Sequence, residues 1–88
     1  MQKPRTPEGG KNLICHTLIT LRKERGLSQR ELARILQLKG YDIDKNVITR
    51  IETNKRYVTD VELKAFVEVF GVDYKYLIEG NETYHSMS

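Results

Sequence analysis

Residues 21–56 carry the sequence LRKERGLSQRELARILQLKGYDIDKNVITRIETNKR, which predicts two short amphipathic helices that meet at a corner. The first of the two begins at Ser28, because Ser28 and Glu31 have the spacing of a capping box, in which each side chain accepts from the other residue's backbone N–H. Gly26 suits the left-handed position that ends a preceding helix. A helix end, a cap and a new helix start therefore follow closely, which predicts a sharp corner.

The second helix of the pair has an apolar side and a polar side. Asp44 is a good N-cap, since its carboxylate can accept from the free N–H groups of the first turn. At about 100° per residue, the residues that must pack against a core are Val47, Ile48 and Ile51. The opposite side carries Lys45, Asn46, Thr49, Arg50 and Thr53. Lys and Arg can donate to guanine or phosphate, Asn can pair with adenine, and Thr offers a hydroxyl, or a methyl group to thymine. Taken alone, this pattern is more commonly explained by a solvated helix face. The capped helix beside it favours a helix that inserts into a DNA groove.

Three motifs then point to a known family: GLSQRELA, VITRIE and the following KR, with a further apolar helix behind them. Over residues 11–79 the chain resembles the Cro/C1-type helix-turn-helix domain of phage and bacterial repressors, the lambda-repressor-like or XRE family. The resemblance implies an all-α, compact five-helix domain in which the helix at Asp44 lies in the DNA major groove and the helix at Ser28 crosses the backbone. It also implies a sequence-specific transcriptional regulator, a repressor that binds an inverted-repeat operator.

The resemblance assigns roles to individual residues. The candidates for base contacts are Lys45, Asn46, Thr49 and Arg50. The candidates for contacts to the DNA backbone are Gln29, Arg30, Asn54, Lys55 and Arg56. The family also pairs an Arg in helix 1 with a Glu at the end of helix 3, here Arg22 and Glu52. We interpret this ion pair as structural; the alternative is an exposed Glu52 that contributes almost nothing.

The connection between helices 2 and 3 departs from the family pattern. Residues 37–43, QLKGYDI, are about five residues longer than the family's short turn, an insertion that loop-closure entropy penalises by well under about 1 kcal/mol per doubling of length. The added residues can form a loop in which Lys39 and Tyr41 contact the DNA backbone. Alternatively, helix 2 runs one turn longer through Leu38 and ends at Gly40, and we favour this second arrangement.

Helical patterns continue on both sides of this region. Helix 1 is predicted from about Lys11 to Arg25, and its inward-facing residues are Ile14, Leu18 and Leu21. Helix 4 begins at a second capping box, formed by Thr59 and Glu62, and ends at Gly71. Its expected buried residues are Leu63, Phe66, Val67 and Phe70. Asp73 caps a short helix 5 from Tyr74 to Glu79.

The chain ends and the charge distribution complete the organisation. We expect a disordered arm at residues 1–10, a helix-turn-helix domain at 11–80 and a flexible tail at 81–88. Residues 1–56 hold 13 Lys/Arg and 6 Asp/Glu, a net +7, whereas residues 57–88 hold 2 and 6, a net −4. A basic front and an acidic back would orient the molecule on a polyanion; chance clustering on a charged surface is the alternative.

The expected partners are double-stranded DNA and a second copy of the chain. One helix reads only a few base pairs, and a second copy about 34 Å away supplies most of the specificity. The candidate dimer interface is formed by Tyr74, Tyr76, Leu77 and Ile78, although these side chains can equally pack within one subunit.

Two other functions stay open. One is an antitoxin-like or phage-encoded protein-interaction module in which DNA binding is secondary. The other is a structured-RNA binder, which is less favoured because the deep, narrow groove of A-form RNA excludes a helix.

Catalytic and metal sites are not predicted. Cys15 and His16 are adjacent on a helix, so their side chains diverge by about 100° and cannot form a nucleophile–base pair. The single cysteine excludes an internal disulfide, no Cys/His spacing suits zinc, and no Gly-rich loop suits a phosphate. We therefore expect no enzyme, no metal and no cofactor. A reducing cytoplasm fits the cysteine usage, and no run of residues has the length and apolarity of a membrane span.

Overall fold

Five α-helices form the regular structure of residues 5–6 and 9–80, which are the residues that the computed structural model describes. The helices are α1 (Cys15–Glu24), α2 (Gln29–Leu38), α3 (Lys45–Glu52), α4 (Asp60–Phe70) and α5 (Tyr74–Glu79). No strand occurs among the described residues, so the predicted all-α, five-helix fold is confirmed. None of these helices has both the length and the apolarity that a membrane span requires. The tail expected at residues 81–88, and residues 1–4 and 7–8 of the arm expected at 1–10, lie outside the described residues.

The helix starts follow the capping signals in the sequence. The Ser28 hydroxyl accepts from the Glu31 N–H at 3.0 Å, and the Glu31 carboxylate accepts from the Ser28 N–H at 2.8 Å. Hydrogen bonding of the Glu31 carboxylate to Ser28 lowers the pKa of Glu31, chiefly through the Ser28 backbone N–H. Thr59 and Glu62 form the second predicted capping box, and Asp44 and Asp73 cap α3 and α5 through single bonds. All four predicted starts are confirmed.

Helix α1 is shorter than the sequence predicts, because it begins at Cys15 rather than near Lys11. The backbone N–H groups of Lys11 and Asn12 donate to Asn54 Oδ1 at 3.0 and 2.9 Å. The Asn12 side chain in turn donates to the carbonyls of Ile51 and Arg56. Residues 11 and 12 therefore fasten the chain to the end of α3, and these bonds replace the helical ones.

The hydrophobic core lies where the five helices meet. Its buried residues are Ile14, Leu18, Leu21, Leu32, Ala33, Leu36, Ile43, Ile48, Ile51, Ala65, Phe66, Phe70 and Leu77. Two residues of α4 differ from expectation: Leu63 and Val67 are only half-buried, whereas Ala65 is fully buried. Helix α4 thus turns the small side chain of Ala65 into the core and leaves Leu63 at the edge of the core. Helix α3 packs against both α1 and α2, so its position is fixed from two sides.

The connection between α2 and α3 follows the arrangement that we favoured. Helix α2 runs through Leu38, and Gly40 adopts a left-handed conformation with φ 97°. Ile43 is buried in the core, and the Tyr41 hydroxyl donates to the Glu68 carboxylate on α4 at 2.7 Å. This bond raises the pKa of Tyr41 and lowers the pKa of Glu68, because it stabilises the neutral phenol and the carboxylate together. Tyr41 therefore ties the connection to α4.

Candidate functional site

The outer face of α3 is polar and open. Lys45, Asn46 and Arg50 are exposed, and their side chains form no hydrogen bond or ion pair with any other described residue. On the opposite side of the helix, Ile48 and Ile51 are fully buried against α1 and α2. The buried side holds the helix in place, so three side chains with unused hydrogen-bond donors point outward from a helix whose position is fixed.

A buried ion pair fixes the end of α3. Arg22 Nε lies 2.7 Å from Glu52 Oε2, and Arg22 Nη2 lies 3.0 Å from Glu52 Oε1. The third guanidinium nitrogen, Nη1, donates to the carbonyl of Leu27 at 2.8 Å. The Glu52 side chain is 4% exposed and that of Arg22 is 12% exposed. A two-point contact with this geometry is directional as well as charge-compensating, and it joins α1 to α3.

Gln29 and Thr49 extend this contact toward the outer face. Gln29 Nε2 donates to Glu52 Oε1 at 2.8 Å, and the Thr49 hydroxyl donates to Gln29 Oε1 at 2.8 Å. Both residues are half-buried. The polar groups of Gln29, a candidate for phosphate contact, are therefore already bonded inside the domain. Among the candidates for base contact, Thr49 is less open than Lys45, Asn46 and Arg50.

The three candidates just beyond α3 have separate environments. Asn54 adopts a left-handed conformation with φ 61°, and its Oδ1 accepts from the backbone of residues 11 and 12. Arg56 Nη2 donates to Glu62 Oε2 at 2.6 Å, and its Nε is buried and has no hydrogen-bond partner among the described residues. Lys55 alone of the three is exposed. Asn54 and Arg56 thus form intramolecular contacts, and Lys55 is the exposed cation of the three.

A basic groove runs between α2 and the start of α3. It is lined by Arg30, Ala33, Arg34, Gln37, Asp44, Lys45 and Asn46. Arg30 and Arg34 are both exposed. Arg34 was not among the candidates for backbone contact, although its spacing of four residues from Arg30 would have placed both on one side of α2. Lys39 is exposed beyond the end of the same helix. The groove brings cations of α2 next to the open first turn of α3.

The candidate dimer residues of α5 are divided between core and surface. Leu77 is fully buried, so it belongs to the core of one subunit and is withdrawn from the candidate interface. Tyr74 is 47% exposed, whereas Tyr76 and Ile78 are half-buried. Ile78 also lines an apolar cleft, defined here by Leu13, Ile14, Val58, Leu63 and Ile78, with Lys11 and Tyr57 at its edge. The surface of α5 is therefore continuous with a second apolar surface.

Comparison with known proteins adds one match. A helix-turn-helix family model matches residues 18–77, which include α2, α3, α4 and most of α1 and α5. No curated protein matches the chain. The matched residues include Arg22, Glu52 and the whole of the basic groove.

Proposed function

Because the chain belongs to the Cro/C1-type (XRE) helix-turn-helix family of DNA-binding proteins, we propose that it represses transcription by binding a specific operator through α3. The observation that carries the proposal is the outer face of α3, where Lys45, Asn46 and Arg50 are exposed and make no intramolecular bonds to the described residues. Unused donors on this helix suit the base edges of a major groove, because packing against α1 and α2 fixes the position of the helix before DNA arrives.

Base recognition is divided among chemically different groups. Asn46 can form a two-point contact with adenine N6 and N7, and Arg50 or Lys45 can donate to guanine O6 and N7. Lys45 and Asn46 lie in the first turn of α3, which is the part of a recognition helix that contacts base edges. We therefore assign Asn46 to direct base readout.

Contacts to the DNA backbone fall to the exposed cations around α3. Arg30 and Arg34 line the basic groove beside its first turn, and Lys55 follows its last turn. Cations on two sides of the helix would fix its register on the phosphates, and such contacts carry no sequence information of their own. Arg34 replaces Arg56 in this role, because Arg56 is paired with Glu62.

A homodimer on an inverted repeat completes the proposal. A single α3 contacts too few base pairs for a unique site, and two copies related by a two-fold axis would read two half-sites about 34 Å apart. The exposed Tyr74 and the half-buried Tyr76 and Ile78 are available for the subunit contact. Occupying such an operator would repress transcription by blocking access to the DNA.

Selection from a randomised duplex DNA pool, followed by binding of the winners across a salt series, tests the proposal. We expect an inverted-repeat winner that is bound at least about 10³-fold more tightly than bulk DNA. Binding that is weak, disappears with salt and enriches no sequence would refute operator recognition, and it would favour a protein partner.

The subunit contact has its own test. Tyr74→Asp places a charge on an exposed position of α5, so the variant should fold and sediment as a monomer. Lys75→Gln, next to it on the same helix, serves as a control, because it lowers the net charge by the same one unit without removing an aromatic ring. A Tyr74→Asp protein that still sediments as a dimer would remove α5 from the interface.

A further inference from the structure

Thr49 could contact DNA in two ways, because threonine carries both a hydroxyl and a methyl group. In this chain the hydroxyl already has partners: Thr49 Oγ1 lies 2.8 Å from Gln29 Oε1 and 3.0 Å from the carbonyl oxygen of Lys45. Both of these oxygens accept and neither can donate, so the single hydroxyl proton is directed into the domain.

The direction of that bond is set by the buried carboxylate. Glu52 accepts from Arg22 at both oxygens and from Gln29 Nε2 at Oε1. An ionised carboxylate accepts only, so the amide nitrogen of Gln29 must face Glu52. The amide oxygen is consequently turned to Thr49, and an inverted amide would place two acceptors against each other. The order of donation is therefore fixed: Thr49 donates to Gln29, and Gln29 and Arg22 both donate to Glu52.

We infer that Thr49 reads the 5-methyl group of a thymine through its own methyl group, and that Gln29 is the positioning residue for this contact. With its proton engaged, Thr49 cannot donate to the N7, O6 or O4 acceptors of a major groove. Its hydroxyl oxygen can still only accept, and its methyl group is the part of the side chain that suits an apolar contact with thymine. Thr49 is half-buried between the exposed Lys45, one turn earlier, and the exposed Arg50. This inference rests on the proposed function, since it requires α3 to lie in the major groove.

Deoxyuridine isolates the methyl group, because it differs from thymidine by that group alone. In the DNA site obtained by selection, each thymine is replaced singly by uracil, and the Kd is measured for the native protein and for Thr49→Ser. Thr53→Ser is the matched control: the Thr53 hydroxyl also donates to a helix carbonyl, that of Thr49 at 2.8 Å, but Thr53 does not contact Gln29.

At one thymine of each half-site, uracil should weaken binding of the native protein about fourfold, the loss expected for one buried methyl group. Thr49→Ser should show the same loss on the thymine site and no further loss with uracil. Thr53→Ser should stay as sensitive as the native protein. For Gln29→Leu we expect folded protein with a native salt dependence on bulk DNA but a reduced thymine–uracil difference.

The outcomes separate this inference from the function on which it rests. A selected site at which native protein and Thr49→Ser respond equally to every uracil, or which contains no thymine, would overturn the methyl contact and leave operator recognition standing. A Gln29→Leu protein with an undiminished thymine–uracil difference would overturn the positioning role. A pool from which no sequence is enriched would overturn both the inference and the proposed function.

Discussion

Removing the guanidinium of Arg22 should destabilise the domain severely. Arg22→Met keeps most of the aliphatic stem but leaves the Glu52 carboxylate, 4% exposed, with one of its three donors. It also removes the donor to the Leu27 carbonyl. Breaking one side of a buried pair costs about 3–5 kcal/mol, because an uncompensated charge remains. That is a large part of the roughly 5–15 kcal/mol that stabilises a typical domain.

Equilibrium unfolding in urea measures this loss, and two further proteins test its cause. Lys64→Met breaks the exposed Lys64–Glu68 pair, 3.5 Å apart, and should change stability little. The double variant Arg22→Met/Glu52→Met removes both charges and should recover most of the stability that the single variant loses. The reasoning is refuted if Arg22→Met costs less than about 1 kcal/mol, or if the double variant is no more stable than the single one.

Three other predictions concern recognition, packing and pH. Asn46→Ala should cost about 1–3 kcal/mol on the selected site and relax specificity there, whereas Lys55→Ala should weaken binding to all sequences alike and lower the salt slope by about 1; identical patterns in titrations of both variants would show that Asn46 does not read a base. Gly10→Ala should lower the melting temperature, because a Cβ at Gly10 would overlap the Asn54 amide; an unchanged melting temperature would mean that Asn54 moves freely. The pKa of Glu31 is lowered from 4.5, so this carboxylate stabilises the fold above that pH, and its contribution is lost as the pH falls through the lowered value. Urea unfolding between pH 6 and pH 3, compared with Glu31→Gln, should therefore show a stability difference that shrinks on acidification, and a constant difference would contradict the capping role.

Local signals in the sequence predicted the starts of the capped helices well, because both partners of each N-cap lie within three residues of each other. Ser28 with Glu31, and Asp44 with the N–H of Val47, form as expected. Side chains whose partners lie far away in the chain were harder to assign. Asn54 binds the backbone of residues 11 and 12, and this long-range contact both shortened α1 and occupied a side chain that sequence reasoning gave to DNA.

The same distinction applies to the candidate site. The exposed face of α3 was predictable, since helical periodicity alone separates Lys45, Asn46 and Arg50 from Ile48 and Ile51. The engagement of Gln29 was not predictable, because its two partners, Glu52 and Thr49, lie 23 and 20 residues away. Leu77 was ambiguous for a related reason: an apolar residue on a short helix suits a core and a subunit contact equally, and only its complete burial decides.

The angle between α2 and α3 is held by hydrogen bonds that lie outside the connection joining the two helices. Gln29 at the start of α2 and Thr49 and Glu52 on α3 are joined directly by hydrogen bonds, whereas Gly40 lies at the far end of α2. Two helices that are joined by hydrogen bonds at one end can keep their angle whatever the length of the connection at the other end. A shorter or longer connection can therefore leave the angle between the two helices unchanged, so residues can be inserted near Gly40 without moving the outer face of α3.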